Sequence, residues 1–547
     1  GYTQMWISTF HAFCERVLRQ EAMHIGLTPA FRLLTDADAT MLIRKHLFSL
    51  GLDYFRPLGN PTKFIGGMLT HFDRLRDEDV SPTQYTAWVK SKIQNPKSKK
   101  EEEKLELQKY KELAGAYKAY QELKAKEGLM DFSDLIVNTL ALFRTRKNIL
   151  TQYQNQFRYL LIDEFQDTNI AQNELILLLS GKRKNITAVA DDDQSIYKFR
   201  GAAVSNVISF RKHFPKATII VLSKNYRSTQ TILDTSYRLI QHNNPDRLEV
   251  KEGINKKLLA VRGIIGEQVS FVHADRVENE AEEVARMINA KRQMLNGKKE
   301  KYDWKDFAIL VRANNHAEPF VRALIRHGIP FQFLGPGQLF RQPEVKDLIA
   351  YLQVLGNFDD NVALFRVLFM DYFDLSARDI VAVANYGKKY ALSLFEACEV
   401  VTGLRTMTNT RMPFIADATR EKLKTLVGMI HRHLGLLTKE TAGQLLFYFL
   451  QDTGMFKSIL EYKVPIDERK AANITKFFNK LKTYEVEHED ATVPAVLDWI
   501  LLSMELGESP LAGDTDWSEN DAVNILTVHS AKGLEFPVVF LVNLVGQ

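Results

Sequence analysis

Residues 159–172 read YLLIDEFQDTNIAQ. The apolar run from Tyr159 to Ile162 stops at two adjacent carboxylates, Asp163 and Glu164, and Asp167 follows close behind. A short continuous apolar run is the pattern of a strand buried in a parallel sheet. In open α/β sheets, ligands bind outside the carboxyl ends of such strands. The stretch therefore predicts a strand that delivers acids to a metal-nucleotide site, although the sequence carries no G-x-x-x-x-G-K-[ST] loop to hold phosphates.

Similar apolar runs occur at Gln4 to Ile7, Ile186 to Ala190, Thr218 to Leu222, Phe307 to Arg312, Asn524 to Val528 and Val538 to Val542. Most lack period-two alternation, which predicts parallel strands buried on both faces. Helical patterns separate them, so the fold class is α/β and doubly wound. Two of the run ends resemble that of the opening stretch. Asp191, Asp192, Asp193 and Gln194 follow the second run, and SKNYRST follows the third. Magnesium bound to phosphates needs one or two carboxylates plus water, and an attacking water needs a base. Asp163 as the metal-side acid and Glu164 as the base supply both.

Two long stretches are poor in strands. Residues 33–129 include a Lys/Glu-dense run, KSKKEEEKLELQKYKELAGAYKAYQELKAKEG, whose i,i+4 charge spacing predicts a solvated helix face. Residues 341–518 open with QPEVKDLIAYLQVL, where Pro343 suits a first helical turn. Both read as helical insertions within α/β domains.

The bulk properties narrow the class. A chain of 547 residues exceeds one ordinary core, so several domains are expected. Hydrophobic residues at 45% and charged residues at 25% are those of a globular protein and exclude disordered and fibrous classes. A net charge of +5 is compatible with nucleic acid without demanding it. Cys14 and Cys398 show neither disulfide-framework nor zinc spacing, which points to a reducing compartment and a cytoplasmic location. No apolar run approaches the roughly 20 residues of a membrane span. The start, GYTQMWISTFHAF, reads as a chain cut from something longer.

The strand-end clusters carry a resemblance. LLIDEFQDTN, VADDDQSIYKFRGA, LSKNYRST and VNILTVHSAKGLEFPVVFLVNL resemble, in order, the second through fifth signature motifs of superfamily 1 DNA helicases of the UvrD/PcrA/Rep family. ISTFHAFCERVL and GLMDFSDLI are similar to flanking segments of the same family. The likeness covers essentially the whole chain. It implies two RecA-like parallel-sheet motor domains, each with a mainly helical insertion and with ATP bound between them. The expected parts are a first motor domain in 1–32 and 129–224 with its insertion at 33–128, and a second in 225–340 and 519–547 with its insertion at 341–518.

Carried onto matching positions, the resemblance implies that Asp163 ligates Mg²⁺ through water, Glu164 activates the hydrolytic water and Gln194 senses the γ-phosphate. Arg227 is implied as an arginine finger, Tyr226 as the adenine stack, and Gly533 and Glu535 as nucleotide-side residues, with Gly533 permitting close backbone approach. Lys532 is a cation for phosphate. Tyr197 and Phe199 alternate with Lys198 and Arg200 in SIYKFRGA, a pattern that stacks bases and meets phosphates of a single strand. Phe199 stands where relatives commonly have Trp, and Ala190 where they usually have Gly. Phe10, His11, Thr527 and His529 match positions that line the DNA channel or couple it to the nucleotide. The implied function is an ATP-dependent 3′–5′ helicase or translocase on single-stranded DNA and its junctions with duplex. Repair or replication proteins are the implied partners. The phosphate loop is expected before Gly1 and the sixth motif after Gln547, so this stretch alone is expected to hydrolyse ATP poorly. The competing readings are a helicase-nuclease motor subunit, a nonhydrolytic single-strand-binding module, and a metal nuclease built on Asp163, Glu164 and Asp191.

Overall fold

The computed structural model describes residues 5–94, 101–197, 204–293, 302–333, 339–408, 411–460, 465–508 and 520–544. The chain forms two compact units, Gly1–Asp275 with Lys532–Glu535, and Arg276–Ala531 with Phe536–Gln547.

In the first unit, β1 (Arg32–Leu33) and β2 (Leu129–Met130) pair in parallel, Arg32 opposite Leu129. The helical layer leaves and returns through this pair. Its helices Asp36–His46, Ile65–Asp77, Pro82–Gln94 and Glu101–Glu127 enclose a core that includes Leu42, Met68, Phe72, Tyr117 and Tyr120. The Lys/Glu run, where it is described, lies on the last of these helices. Its solvated-face reading fails at Lys124, which is 1% exposed and paired with Asp131 and Asp134 at the start of the next helix. Helix Phe132–Thr145 starts on a capping box in which Asp131 and Asp134 exchange backbone hydrogen bonds. It packs with Phe10–Glu21, Lys147–Gln156 and Ile170–Ser180 around Cys14, Leu140, Phe143 and Leu175.

The strands β3 (Leu160–Ile162) and β4 (Ile186–Ala188) are parallel, with Leu160 opposite Ile186 and Ile162 opposite Ala188. They confirm a parallel pair but not burial on both faces, since Leu161 is 78% exposed. Among the described residues no further strand joins this pair, and the face that carries Leu161 is open to water. The run from Thr218 to Leu222 forms no strand, and Ile220 is likewise 78% exposed. Extended backbone becomes a strand only when a neighbour takes its N–H and C=O groups, and that pairing starts later, between β5 (Lys224–Asn225) and β6 (Leu259–Ala260). Of the strand expected at Gln4 to Ile7, Gln4 lies outside the described residues and Met5 to Ile7 are irregular. Trp6 is instead held edge-on to the rings of Phe13 and Phe157, at 5.7 and 5.0 Å.

The second unit meets the buried-strand expectation. Here β7 (Phe307–Val311), β8 (Phe331–Phe333), β9 (Val523–Thr527) and β10 (Val538–Leu541) form an all-parallel sheet in the order β10-β7-β9-β8. Phe307, Ile309, Val311, Val523 and Ile525 are fully buried against helices Val277–Gln293 and Glu318–Arg326. Between β8 and β9 the chain builds helices from Pro343–Gly356 to Val493–Leu506, with Pro343 in the first turn as the sequence predicts. No helix of the described residues is long and apolar enough to cross a membrane.

Candidate functional site

The site of the first unit grows from the ends of β3 and β4. The ladder continues past both strands, because Val189 N donates to the Ile162 carbonyl at 2.8 Å and Phe165 N to the Val189 carbonyl at 2.9 Å. This brings the two polar loops side by side. Glu164 takes a left-handed φ of +50°, a conformation that costs a non-glycine residue about 1–3 kcal/mol. Its consequence is a sharp turn into Phe165–Asp167, which leaves the Asp163 and Glu164 carboxylates in solvent. One Asp163 oxygen accepts from Glu164 N at 3.0 Å.

Gln166 joins the loops and was not singled out by the sequence. Its side chain is 1% exposed, its amide nitrogen donates to Glu164 Oε2, and its Oε1 accepts from Asp191 N at 2.9 Å. The Gln194 amide in turn donates to Asp191 Oδ2 at 2.7 Å. A hydrogen-bonded path thus runs from Glu164 through Gln166 and Asp191 to Gln194. Asn169 caps helix Ile170–Ser180 and donates to Asp77 at 2.7 Å. Burial, and then the neighbouring Asp73 charge, push the Asp77 carboxyl up to about 6.

The Asp191–Asp193 cluster does not behave as an open metal site. The Lys256 ammonium sits among its carboxylates, at 2.6 Å from Asp191, 2.6 Å from Asp192 and 2.8 Å from Asp193. Burial opposes the charge on Lys256, yet the hydrogen bonds to the three aspartates outweigh it and raise its affinity for the proton. Lys532 is the second cation of the site. It donates to Asp167 at 2.5 Å and to the Gln194 carbonyl at 3.1 Å, lies 3.3 Å from Glu164, and sits 5.3 Å from the centre of the Tyr197 ring. Three residues on from Lys532, Glu535 accepts from Arg227 Nε at 2.7 Å. Arg227 itself is set by a turn in which Asn225 Oδ1 accepts from Arg227 N and Ser228 N. Tyr226 beside it is 64% exposed.

Asp163, Glu164, Gln194, Arg227, Glu535 and Tyr197 are therefore gathered in the first unit, with Lys532 as the tie. Gly533 belongs to the same segment: a Cβ there would meet no described protein atom within 4 Å, and its φ of +88° favours glycine. Phe10, at the start of helix Phe10–Glu21, packs against two hydrophobic clusters. His11 meets the exposed Phe132 ring edge-on at 5.9 Å, and burial lowers its proton affinity. Phe132 lies within the DFSDL stretch and went unread because an apolar residue opening a helix carries no sign of its exposure. Lys198, Phe199 and Arg200 lie outside the described residues. Thr527 and His529 belong to the second unit, where Thr527 Oγ1 accepts from Ser530 N at 3.1 Å and His529 Nδ1 lies 3.5 Å from Arg312.

Acids, amides and cations collected where two parallel strands end make this an α/β protein with a candidate site at the strand ends, the place where open α/β sheets bind ligands. Sequence comparison takes this further. Residues 2–215 match the UvrD/REP helicase N-terminal domain and residues 220–546 the UvrD-like helicase C-terminal domain. The chain belongs to the UvrD/Rep helicase family. It is 30% identical to a protein named ATP-dependent DNA helicase PcrA from Leuconostoc citreum, over 99% of this chain and 66% of that protein. Proteins of the same name from Staphylococcus aureus and Bacillus subtilis are 30% and 29% identical, over 67% and 68% of their lengths. The chain thus spans about two thirds of these curated relatives.

Proposed function

We propose that this chain is the motor of an ATP-dependent DNA helicase that moves 3′ to 5′ on single-stranded DNA, acting at junctions with duplex in repair or replication. The observation that carries the reading is the Glu164–Gln166–Asp191–Gln194 path with Lys532 tied to both ends. A structural acid cluster has no need of an exposed carboxylate wired to an exposed amide.

In this reading ATP is the substrate and enters with Mg²⁺, which supplies charge neutralisation on its phosphates. Asp163 fits the metal side: it is exposed, and among the described residues no ion pair engages it. Glu164 accepts a proton from the attacking water. Gln166 holds the Glu164 carboxylate by one oxygen and so leaves the other for that task. Gln194, on the adjacent loop, orients toward the terminal phosphate, and Arg227 brings positive charge where negative charge builds. The exposed Tyr226 ring offers a face for the adenine. Tyr197 and Phe199, with Arg200, grip single-stranded DNA by stacking and phosphate contact, and Phe10 and His11 in the first unit, and Thr527 and His529 in the second, contact DNA or couple it to the nucleotide. Lys532 is shared between Glu164, Asp167 and the Gln194 carbonyl and lies beside the Tyr197 ring, which in this reading makes it the link from hydrolysis to Tyr197.

The test is single-stranded-DNA-stimulated ATP hydrolysis by the full-length protein. Glu164→Gln keeps the hydrogen bond to Gln166 but removes the base. Turnover should fall by at least ~10²-fold with ATP binding largely retained. Stimulated hydrolysis that persists in Glu164→Gln would remove the reading.

A further inference from the structure

Residues 247–256 form a small device whose three acidic partners all lie on the loop that carries Gln194. Arg247 grips Asp193 with two nitrogens, each at 2.7 Å. The backbone N–H of Leu248, which opens helix Leu248–Glu252, donates to Asp192 Oδ2 at 2.7 Å. That helix closes at Gly253, with φ +64° and the Ile254 N–H on the Glu249 carbonyl. The chain then doubles back so that Lys256 reaches the same carboxylates. Glu249 braces the device from behind, pairing with Arg247 at 2.7 Å and accepting from Lys256 N at 3.0 Å and from Tyr237 Oη at 2.9 Å.

Three aspartates whose oxygens lie within 4.8 Å of one another have the outline of a cation site. The Lys256 ammonium fills it, with its side chain 15% exposed and a hydrogen bond to each carboxylate. Of the three, Asp191 matters most for chemistry. Its Oδ1 receives Lys256 and Asp193 N, and its Oδ2 receives the exposed Gln194 amide. With Oδ1 fixed from two sides, the carboxylate cannot rotate away from Gln194.

We propose that Lys256 is a positioning residue for Gln194, a built-in cation that occupies the Asp191–Asp193 socket in place of a metal and locks Asp191 in the orientation that aims the Gln194 amide. The inference rests on the ATPase reading above for its consequence in catalysis, but the clamp itself is a property of the fold. Among the described residues the neighbouring Lys257 ammonium pairs with Asp234, at 3.7 Å, away from the three aspartates, and serves as the control.

The experiment compares full-length wild type with Lys256→Met, Lys256→Arg and Lys257→Met. Hydrogen exchange of peptides covering 189–197, without nucleotide, reads the clamp. Single-stranded-DNA-stimulated ATPase reads its effect. Lys256→Met should accelerate exchange in this loop and lower kcat about tenfold, the effect of losing one charge-assisted hydrogen bond, while KM for ATP stays within about twofold. Lys256→Arg should retain most of both properties, and Lys257→Met should match wild type. The double variant Lys256→Met/Gln194→Ala should be no slower than Gln194→Ala alone, because Lys256 acts through Gln194. Unchanged exchange in Lys256→Met, additive losses in the double variant, or Mn²⁺ bound by the wild-type aspartates would each overturn the proposal. If wild type shows no ATPase, the functional reading fails. The clamp is then still decided by exchange, faster in Lys256→Met supporting it and equal exchange refuting it.

Discussion

The Arg76→Met variant tests a buried charge cluster of the first unit. Arg76, on helix Ile65–Asp77, is 2% exposed and donates through NH1 to Asp131 at 2.6 and 2.7 Å and to Asp134 at 2.8 Å, and through NH2 to Asp73 at 2.5 Å. Lys124 approaches the same two capping carboxylates from helix Glu101–Glu127, at 2.6 and 2.5 Å. The buried set of Arg76, Lys124, Asp131 and Asp134 is therefore neutral, two cations against two anions. Methionine keeps much of the arginine stem but leaves one cation for two carboxylates. An uncompensated buried charge costs about 3–5 kcal/mol.

The pH dependence separates this from loss of packing. In wild type, burial favours the neutral form of Asp131, but Arg76 and then Lys124 overcome it and hold the carboxyl well below the usual range. Its contribution to stability is accordingly complete above the unfolded carboxyl pKa of about 4 and is lost only in stronger acid. Without Arg76, burial wins and the folded pKa of one carboxyl rises above the unfolded one. The variant then loses stability as pH rises from about 4 through that new value, so the deficit should be at least about 1 kcal/mol larger at pH 7.5 than at pH 5. Hydrogen exchange of helix Phe132–Thr145, which Asp131 and Asp134 cap, reads the local free energy at both pH values. As a control, Arg144→Met removes a partly exposed pair with Asp79 and should cost under about 1 kcal/mol. A deficit below about 1 kcal/mol for Arg76→Met, or one independent of pH, would refute the reasoning.

Two further outcomes follow from the site. Asp77 is the opposite case to Asp131: its folded carboxyl is raised to about 6, so the folded state loses stability as pH climbs from about 4 through 6. Asp77→Asn should therefore stabilise the protein by about 1–2 kcal/mol at pH 8 and by little at pH 4, measured by urea denaturation across that range. Gln166→Leu removes the bridge between Glu164 and Asp191 and leaves the Asp191 N–H without its acceptor. It should cost about 1–3 kcal/mol in stability and lower stimulated ATPase kcat, whereas unaltered kcat in a folded Gln166→Leu protein would show that the bridge has no part in hydrolysis.

Much of the site was legible because its signals are local. An apolar run ending in Asp163 and Glu164 specifies a strand and what lies at its end without reference to anything distant. Pro343 and the buried strands β7 and β9 were readable for the same reason. Legibility failed where a neighbour decides the outcome. Thr218 to Leu222 has the composition of a strand but no ladder to join among the described residues, and Leu161 has the pattern of an interior residue on a sheet whose face is open. Lys124 sits in a run of charges that alternates like any solvated helix, and nothing in its spacing sets it apart from Lys118 or Lys126.

The sequence by itself determined the α/β class, the two helix-rich stretches, the order of the motifs and the acids that follow β3 and β4. Those follow from short-range chemistry, the stop of an apolar run or the spacing of a helical face. Only the tertiary structure decided which charges meet. Lys256 is 65 residues from Asp191, and Lys532 is 365 from Asp167. A lysine carries the same charge whether it faces water or three carboxylates. What distinguishes the two is desolvation and geometry, and both arise only when the chain has closed around it.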